Sequence, residues 1–245
     1  MPKGTQTSKM GGNRTGIQMS PMDIKKMLAG MDGPLGRPTS EGDETGMAEL
    51  RTRYIEEADP IGSVPPPATA KGALKSGAKM LTGKKPQVLL DKLAERLAFE
   101  RTGTRLYEAL MAKCKADGGA VVSLERIRHF CDEEAQHFKL VHECIETLGG
   151  DPTVQTPCAD LAGVESAGLV QVLTDPKTTL SQSLHAILVA ELTDNAAWDE
   201  LVVLAREMGN EDMAAQFTEA QETEREHLQT IKQWHQDLTL AEAKA

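Results

Sequence analysis

At 245 residues and a formal charge of −10, the chain is long enough for one good-sized core plus an extension, and it lacks the concentrated basic surface that phosphate binding needs, which excludes nucleic acid as a partner. Aromatic residues make up only 3% of it, so the core must be mostly Leu, Ala, Val, Ile and Met, a composition that favours helices. The four cysteines (Cys114, Cys131, Cys144 and Cys158) form no C-x-x-C pair, which excludes a rubredoxin knuckle, and there is neither an apolar leader nor an apolar run of about 18 residues to span a membrane, so the expected setting is the cytoplasm.

Residues 1–85 carry GGNRTG, GPLGRPTSEGDETG and VPPPATAKG, stretches rich in residues that oppose regular structure and leave little to bury. This arm is expected to be mostly disordered. One short helix is expected near 21–30, capped by Ser20 with Pro21 at its first position, either a transient helix in a tail or a docking peptide for a partner. The lysine-rich run KGALKSGAKMLTGKK reads as a solvated linker.

From Pro86 to about residue 240 the periodicity is helical. A first helix, roughly 87–115, carries a stripe through Leu93, Leu97, Glu100, Thr104, Tyr107 and Met111. The second, roughly 123–149, starts at a Ser123 cap and carries Ile127, Phe130, Glu134, His137 and Val141. A long connection follows, with prolines and a weak helical pattern around 158–173. The third, roughly 179–208, carries Leu184, Ile187, Glu191, Asn195 and Trp198, and the fourth, roughly 211–238, carries Phe217, Glu224, His227, Ile231 and Trp234. Two short turns around one long connection give an all-α four-helix bundle with a crossover between its second and third helices.

Each apolar stripe is interrupted near its middle by a carboxylate. AFERTGTRLYEAL aligns with VAELTDNAAWDEL, pairing Glu100 with Glu191, and EEAQHFKL aligns with TEREHLQT, pairing Glu134 with Glu224 and His137 with His227, each about ninety residues apart. The alignment sets Glu133 against Thr223 and so singles out Glu134. Side chains three apart share a helix face, so each hairpin presents one Glu and then a Glu-x-x-His to the interior. Buried carboxylates facing one another repel unless something cationic lies between them. No Lys or Arg is expected at their level on these stripes, and two divalent cations would balance them. Oxygen-rich donors favour iron or manganese over thiolate-seeking metals.

Residues 87–238 resemble the ferritin-like superfamily, most clearly in the Glu-x6-Tyr of Glu100 and Tyr107 and the Glu-x-x-His of Glu134 and His137. The resemblance implies a ferritin-like bundle holding two Fe ions, or Mn, with Glu134 and Glu224 bridging, Glu100 and Glu191 terminal, and His137 and His227 binding one metal each. It implies a non-haem di-iron oxidoreductase acting on peroxide or dioxygen, of peroxidase or ferroxidase type, closest in ligand style to rubrerythrin-like proteins that lack a rubredoxin domain. Electrons would then come from an external donor, and the chain would form a homo-oligomer, a dimer or larger. Asp194, one turn after Glu191, would be a further ligand or proton relay, and Tyr107 would donate to a ligand carboxylate or carry an electron. An iron-storing ferritin-like protein and a non-catalytic stress or scaffold bundle are the other classes that the residues allow.

Overall fold

Thr45 begins a thirteen-residue helix, α1 (Thr45–Glu57), in a part of the chain where the sequence predicts little order. The composition of AELRTRYIEE explains it, because all but Thr and the aromatic and β-branched pair are strong helix formers. The described residues are 45–58, 64–67, 85–118 and 121–244, with scattered positions before residue 73, in this computed structural model. They fall into two units, Met1–Asp59 and Pro60–Ala245. Within the first, Gly12–Asn13 (β1) pairs antiparallel with Gly16–Ile17 (β2), and α1 exposes Met47, Leu50, Tyr54 and Ile55. Of the helix expected at 21–30, Lys25, Lys26 and Ala29 are helical and exposed; the remainder lies outside the described residues.

Five helices build the second unit. α2 (Pro86–Asp117) starts with proline in its first turn and stops at Gly118, whose positive φ of 65° turns its N–H onto the Cys114 carbonyl. α3 (Leu124–Thr147) is capped by Ser123, whose hydroxyl accepts from the Arg126 N–H. α4 (Pro157–Thr174) is capped by Thr156, and α5 (Leu180–Glu207) by a Thr179–Gln182 capping box. α6 (Glu211–Glu242) has Glu211 and Asp212 in its first turn, where negative charge suits the helix dipole.

The crossover is thus more regular than the sequence suggests, since α4 is a full helix along α2. Its pattern is blurred because Leu161 and Val164 are exposed while Ala159, Ala162 and Ser166 face inward. Small residues on the inner face let the two backbones approach, and the apolar stripe that periodicity looks for is absent. The arm expected to be mostly disordered also differs in part at its end, because Val64 packs against the core and Gly72 is buried, with the Gly72 N–H donating to Thr69 Oγ1 at 3.0 Å. No helix among the described residues is long and apolar enough to cross a membrane.

α2 packs along α3 and α5 along α6, with α2 also meeting α5, whereas α3 and α6 approach each other at few points. The apolar core is split. One part holds Leu106, Tyr107, Phe130, Leu184 and Ile231, the other Leu89, Leu93, Val141, Trp198 and Phe217. Each fully buried large side chain contributes roughly 1.5–3 kcal/mol by burial. Between the two parts lies a polar layer.

Candidate metal centre

That polar layer consists of Glu100 from α2, Glu134 and His137 from α3, Glu191 and Asp194 from α5, and Glu224 and His227 from α6, all buried. Glu134 and His137 stand one turn apart, as do Glu224 and His227, so each pair shares a face. Asn195 fixes the register of the second hairpin at this level by donating from Nδ2 to the carbonyls of Glu191 at 2.9 Å and Glu224 at 3.0 Å.

Donor atoms fall into three overlapping sets, each with its members within 4.8 Å of one another: Glu134, Glu191, Glu224 and His227; Glu100, His137 and Glu224; and Glu100, Glu134, Asp194 and Glu224. Glu224 belongs to all three. Its Oε1 lies 2.6 Å from His137 Nδ1 and its Oε2 3.1 Å from His227 Nδ1, so one carboxylate joins the two histidines. Glu134 reaches the His227 side, with its Oε1 3.7 Å from His227 Nδ1. All six side chains that the sequence singled out as candidate ligands are therefore in one place, together with Tyr107 and Asp194.

Two further residues complete the layer, and both differ from the sequence expectation. The absence of a cation at this level is wrong: Arg96 is 2% exposed and lies between two of the acids. Its Nε is 2.9 Å from Glu100 Oε1, an ion pair rather than an aligned hydrogen bond, and its Nη1 contacts Asp194 Oδ1 and donates to the Asp194 carbonyl at 3.3 Å. The guanidinium carbon sits 4.3 Å from the centre of the Phe99 ring. Arg96 precedes Glu100 by one turn, and that i, i+4 spacing was the available signal. Asp194 is accordingly an ion-pair partner of Arg96 as well as a member of the carboxylate set.

The second is Glu133, which alignment with Thr223 had set aside. Its Oε2 lies 2.9 Å from His227 Nε2, so the ring donates there and presents Nδ1 to Glu134 and Glu224. Carboxylate-to-imidazole contacts of this kind orient metal-ligating histidines. The Tyr107 O–H donates to Glu191 Oε1 at 2.5 Å.

Electrostatics follow from burial. Desolvation lifts the carboxyls of Glu100, Glu134, Glu191 and Glu224 well above the usual range, with repulsion from neighbouring acids adding to it. Burial holds His137 down to about 4. It would also lower His227, but contacts with Glu133, Glu134 and Glu224 outweigh it and push that imidazole far up. Without a metal, His227 acts as a counter-cation.

Does this cage suit a pair of metal ions? Oε2 of Glu134, Oε2 of Glu191 and both oxygens of Glu224 lack an aligned hydrogen-bond donor although fully buried, and uncompensated buried ions cost several kcal/mol each. Five buried carboxylates (Glu100, Glu134, Glu191, Asp194, Glu224) less one guanidinium (Arg96) leave a formal −4 with neutral histidines, which two divalent cations cancel. Gly103 leaves room as well: a Cβ there would fall 2.0 Å from Glu134 Oε2. Oxygen and imidazole donors of this kind suit iron and manganese. The cluster is compatible with metal binding on each of these grounds.

A ferritin-like domain family model matches residues 90–241. No curated protein and no solved structure gave a match.

Proposed function

The chain belongs to the ferritin-like family, and from that premise we propose that it is a dinuclear iron or manganese protein, an oxidoreductase acting on peroxide or dioxygen. The observation that carries this is the buried ring of four glutamates and two histidines, drawn from four helices and short of hydrogen-bond donors. Glu134, Glu191, Glu224 and His227 would hold one ion and Glu100, His137 and Glu224 the other. Two such ions would supply the electron transfer to an oxygen substrate.

The chain's own residues set the conditions for that chemistry. The apolar parts of the core on either side keep water out of the layer, which strengthens every charge interaction inside it. Tyr107 holds Glu191 by one oxygen and leaves the other turned to the cage. Burial and the neighbouring Glu191 carboxylate raise its phenol well above the ordinary value, so it stays a proton-bearing donor at neutral pH. Glu133 fixes the His227 ring from outside, and the ring must lose its Nδ1 proton before that nitrogen can bind metal. Asp194 sits beside Glu100 and Glu224 with Oδ2 lacking an aligned donor, placed to take up a proton within the layer. No paired C-x-x-C knuckle accompanies the bundle, so the electrons would come from a separate donor.

Metal analysis of protein purified without a metal-binding tag tests this, followed by anaerobic iron loading and exposure to peroxide or dioxygen. About two Fe or Mn per chain, with oxidation of the loaded iron, supports the proposal. Fewer than about one per chain before and after loading sinks it. Faster oxidation by peroxide than by dioxygen marks a peroxidase, and the reverse order a ferroxidase. Recovery of the full chain as a hollow shell of many copies that lays down iron beyond two per chain would move the assignment to storage.

A further inference from the structure

Duplication predicts two equal halves, and the structure departs from equality in charge at three positions: Arg96, Glu133 and Asp194, whose counterpart in the first hairpin is Gly103. The counterpart of Arg96 in the second hairpin is Ile187, and among the described residues no guanidinium pairs with Glu191. The Arg96 head group is instead fixed on one side only, by Glu100, by both the side chain and the carbonyl of Asp194, and by the Phe99 ring. Similarly, the counterpart of Glu133 is Thr223. Glu133 reaches His227 across the α3–α6 seam, and Thr223 instead donates its hydroxyl to the Glu219 carbonyl on its own helix at 3.3 Å.

The first two act in one direction, and Asp194, paired with Arg96, offsets them only in part. Around Glu134, Glu191, Glu224 and His227 there are three carboxylates, with a fourth, Glu133, behind the histidine. Around Glu100, His137 and Glu224 there are two, with Asp194 a third beside them, and the Arg96 guanidinium faces both Glu100, at 2.9 Å, and Asp194. A cation entering the second position meets less negative charge and a nearby positive one, in a dry layer where Coulomb forces are weakly screened. We propose that Arg96 is a positioning residue that makes the two cation positions unequal, so that the His227 side fills first and the His137 side second and more weakly. The inference rests on the dinuclear reading above and adds an order of filling and the residue that sets it.

Anaerobic titration of the metal-free full chain with Mn2+ tests it, read by calorimetry and by electron paramagnetic resonance. Two steps are expected, separated by at least about tenfold in affinity: a first equivalent with the six-line signal of an isolated ion, and a second that broadens it by coupling. Arg96→Met should tighten the second step by about 10–100-fold, the range that residues behind a ligand typically carry, and Arg96→Lys should restore most of the gap. Glu133→Gln, at a partly exposed residue, should weaken the first step instead, and Arg96→Gln, which also removes the charge, decides the matter should Arg96→Met fail to fold. Two equal steps in the unmodified chain, or a gap unmoved by the folded variants, overturn the inference. Absence of any Mn2+ binding by the unmodified chain overturns the dinuclear reading itself, a distinguishable result.

Discussion

Gly103 shows how a single side chain can separate stability from function. Its Cβ-less face lies against Glu134, and the atom that a methyl group would strike is the end of a flexible carboxylate rather than backbone. Gly103→Ala should therefore fold, with a helix-propensity gain of up to about 1 kcal/mol, while pushing Glu134 out of place. The expected result is a melting temperature unchanged or slightly raised, with metal content falling from about two to about one per chain; full content at unchanged affinity would refute it. The cysteines permit a second prediction. Burial pushes the thiols of Cys114, Cys131 and Cys144 up to about 11. Burial and the neighbouring Asp91 carboxylate push Cys158 up to about 12, so the thiolate fraction of each at pH 7.5 is under about one in a thousand. Native protein should react with a disulfide reagent slowly at all four, and unfolded protein rapidly. The six candidate ligands were legible because their one-turn spacing is a local property of a helix. Arg96 and Glu133 were not, because each lies at the edge of its stripe, and only the packed rotation of α2 and α3 decides that they face inward. Placing Arg96 beside Glu100 needed only its i, i+4 spacing, whereas Glu133 meets a residue of another helix.

At the scale of elements, the Ser123 cap and the changes of periodicity at Pro86 and near 179 identify three helix starts from sequence, since each is a matter of neighbouring residues. α4 was obscure because its inner face is built from Ala and Ser, and a helix that packs by close approach leaves no apolar stripe. α1 was obscured by the glycine- and proline-rich text before it. The contact between Gly72 and Gly149 was illegible for a third reason: nothing in either local sequence says that two glycines distant in the chain meet. Gly149 has a φ of 83°, and a Cβ on it would lie 2.7 Å from the Gly72 Cα. Backbone cannot move aside as a carboxylate can. Gly149→Ala should cost about 2–4 kcal/mol from left-handed strain and overpacking together, seen as a lower urea midpoint with an unchanged slope. A loss below about 0.5 kcal/mol would show that Thr69 and Gly72 do not hold against Gly149.

For the whole molecule, the buried acids make stability depend on pH and on metal together. The carboxyls of Glu100, Glu134, Glu191 and Glu224 are raised from an ordinary value of 4.5. The native state thus keeps protons that the unfolded chain releases, and stability falls as pH rises above that value. His137 opposes this between about 4 and its ordinary 6.5. Above 6.5 its effect is complete, and the raised His227 joins the carboxyls in the downward trend. Metal-free protein should melt at progressively lower temperature from pH 6.5 to 9, and bound Mn2+ should raise and flatten the profile; a metal-free profile that climbs with pH would contradict the charge assignment. Each candidate cation position draws on both hairpins, and the α3–α6 seam has few other contacts. Occupancy should accordingly act as a latch on the time that the bundle spends ajar. Amide hydrogen exchange near His137 and His227 should slow on loading by a larger factor than exchange in α4, which supplies no donor, and the strength of that latch would set how readily the halves part when the ions leave.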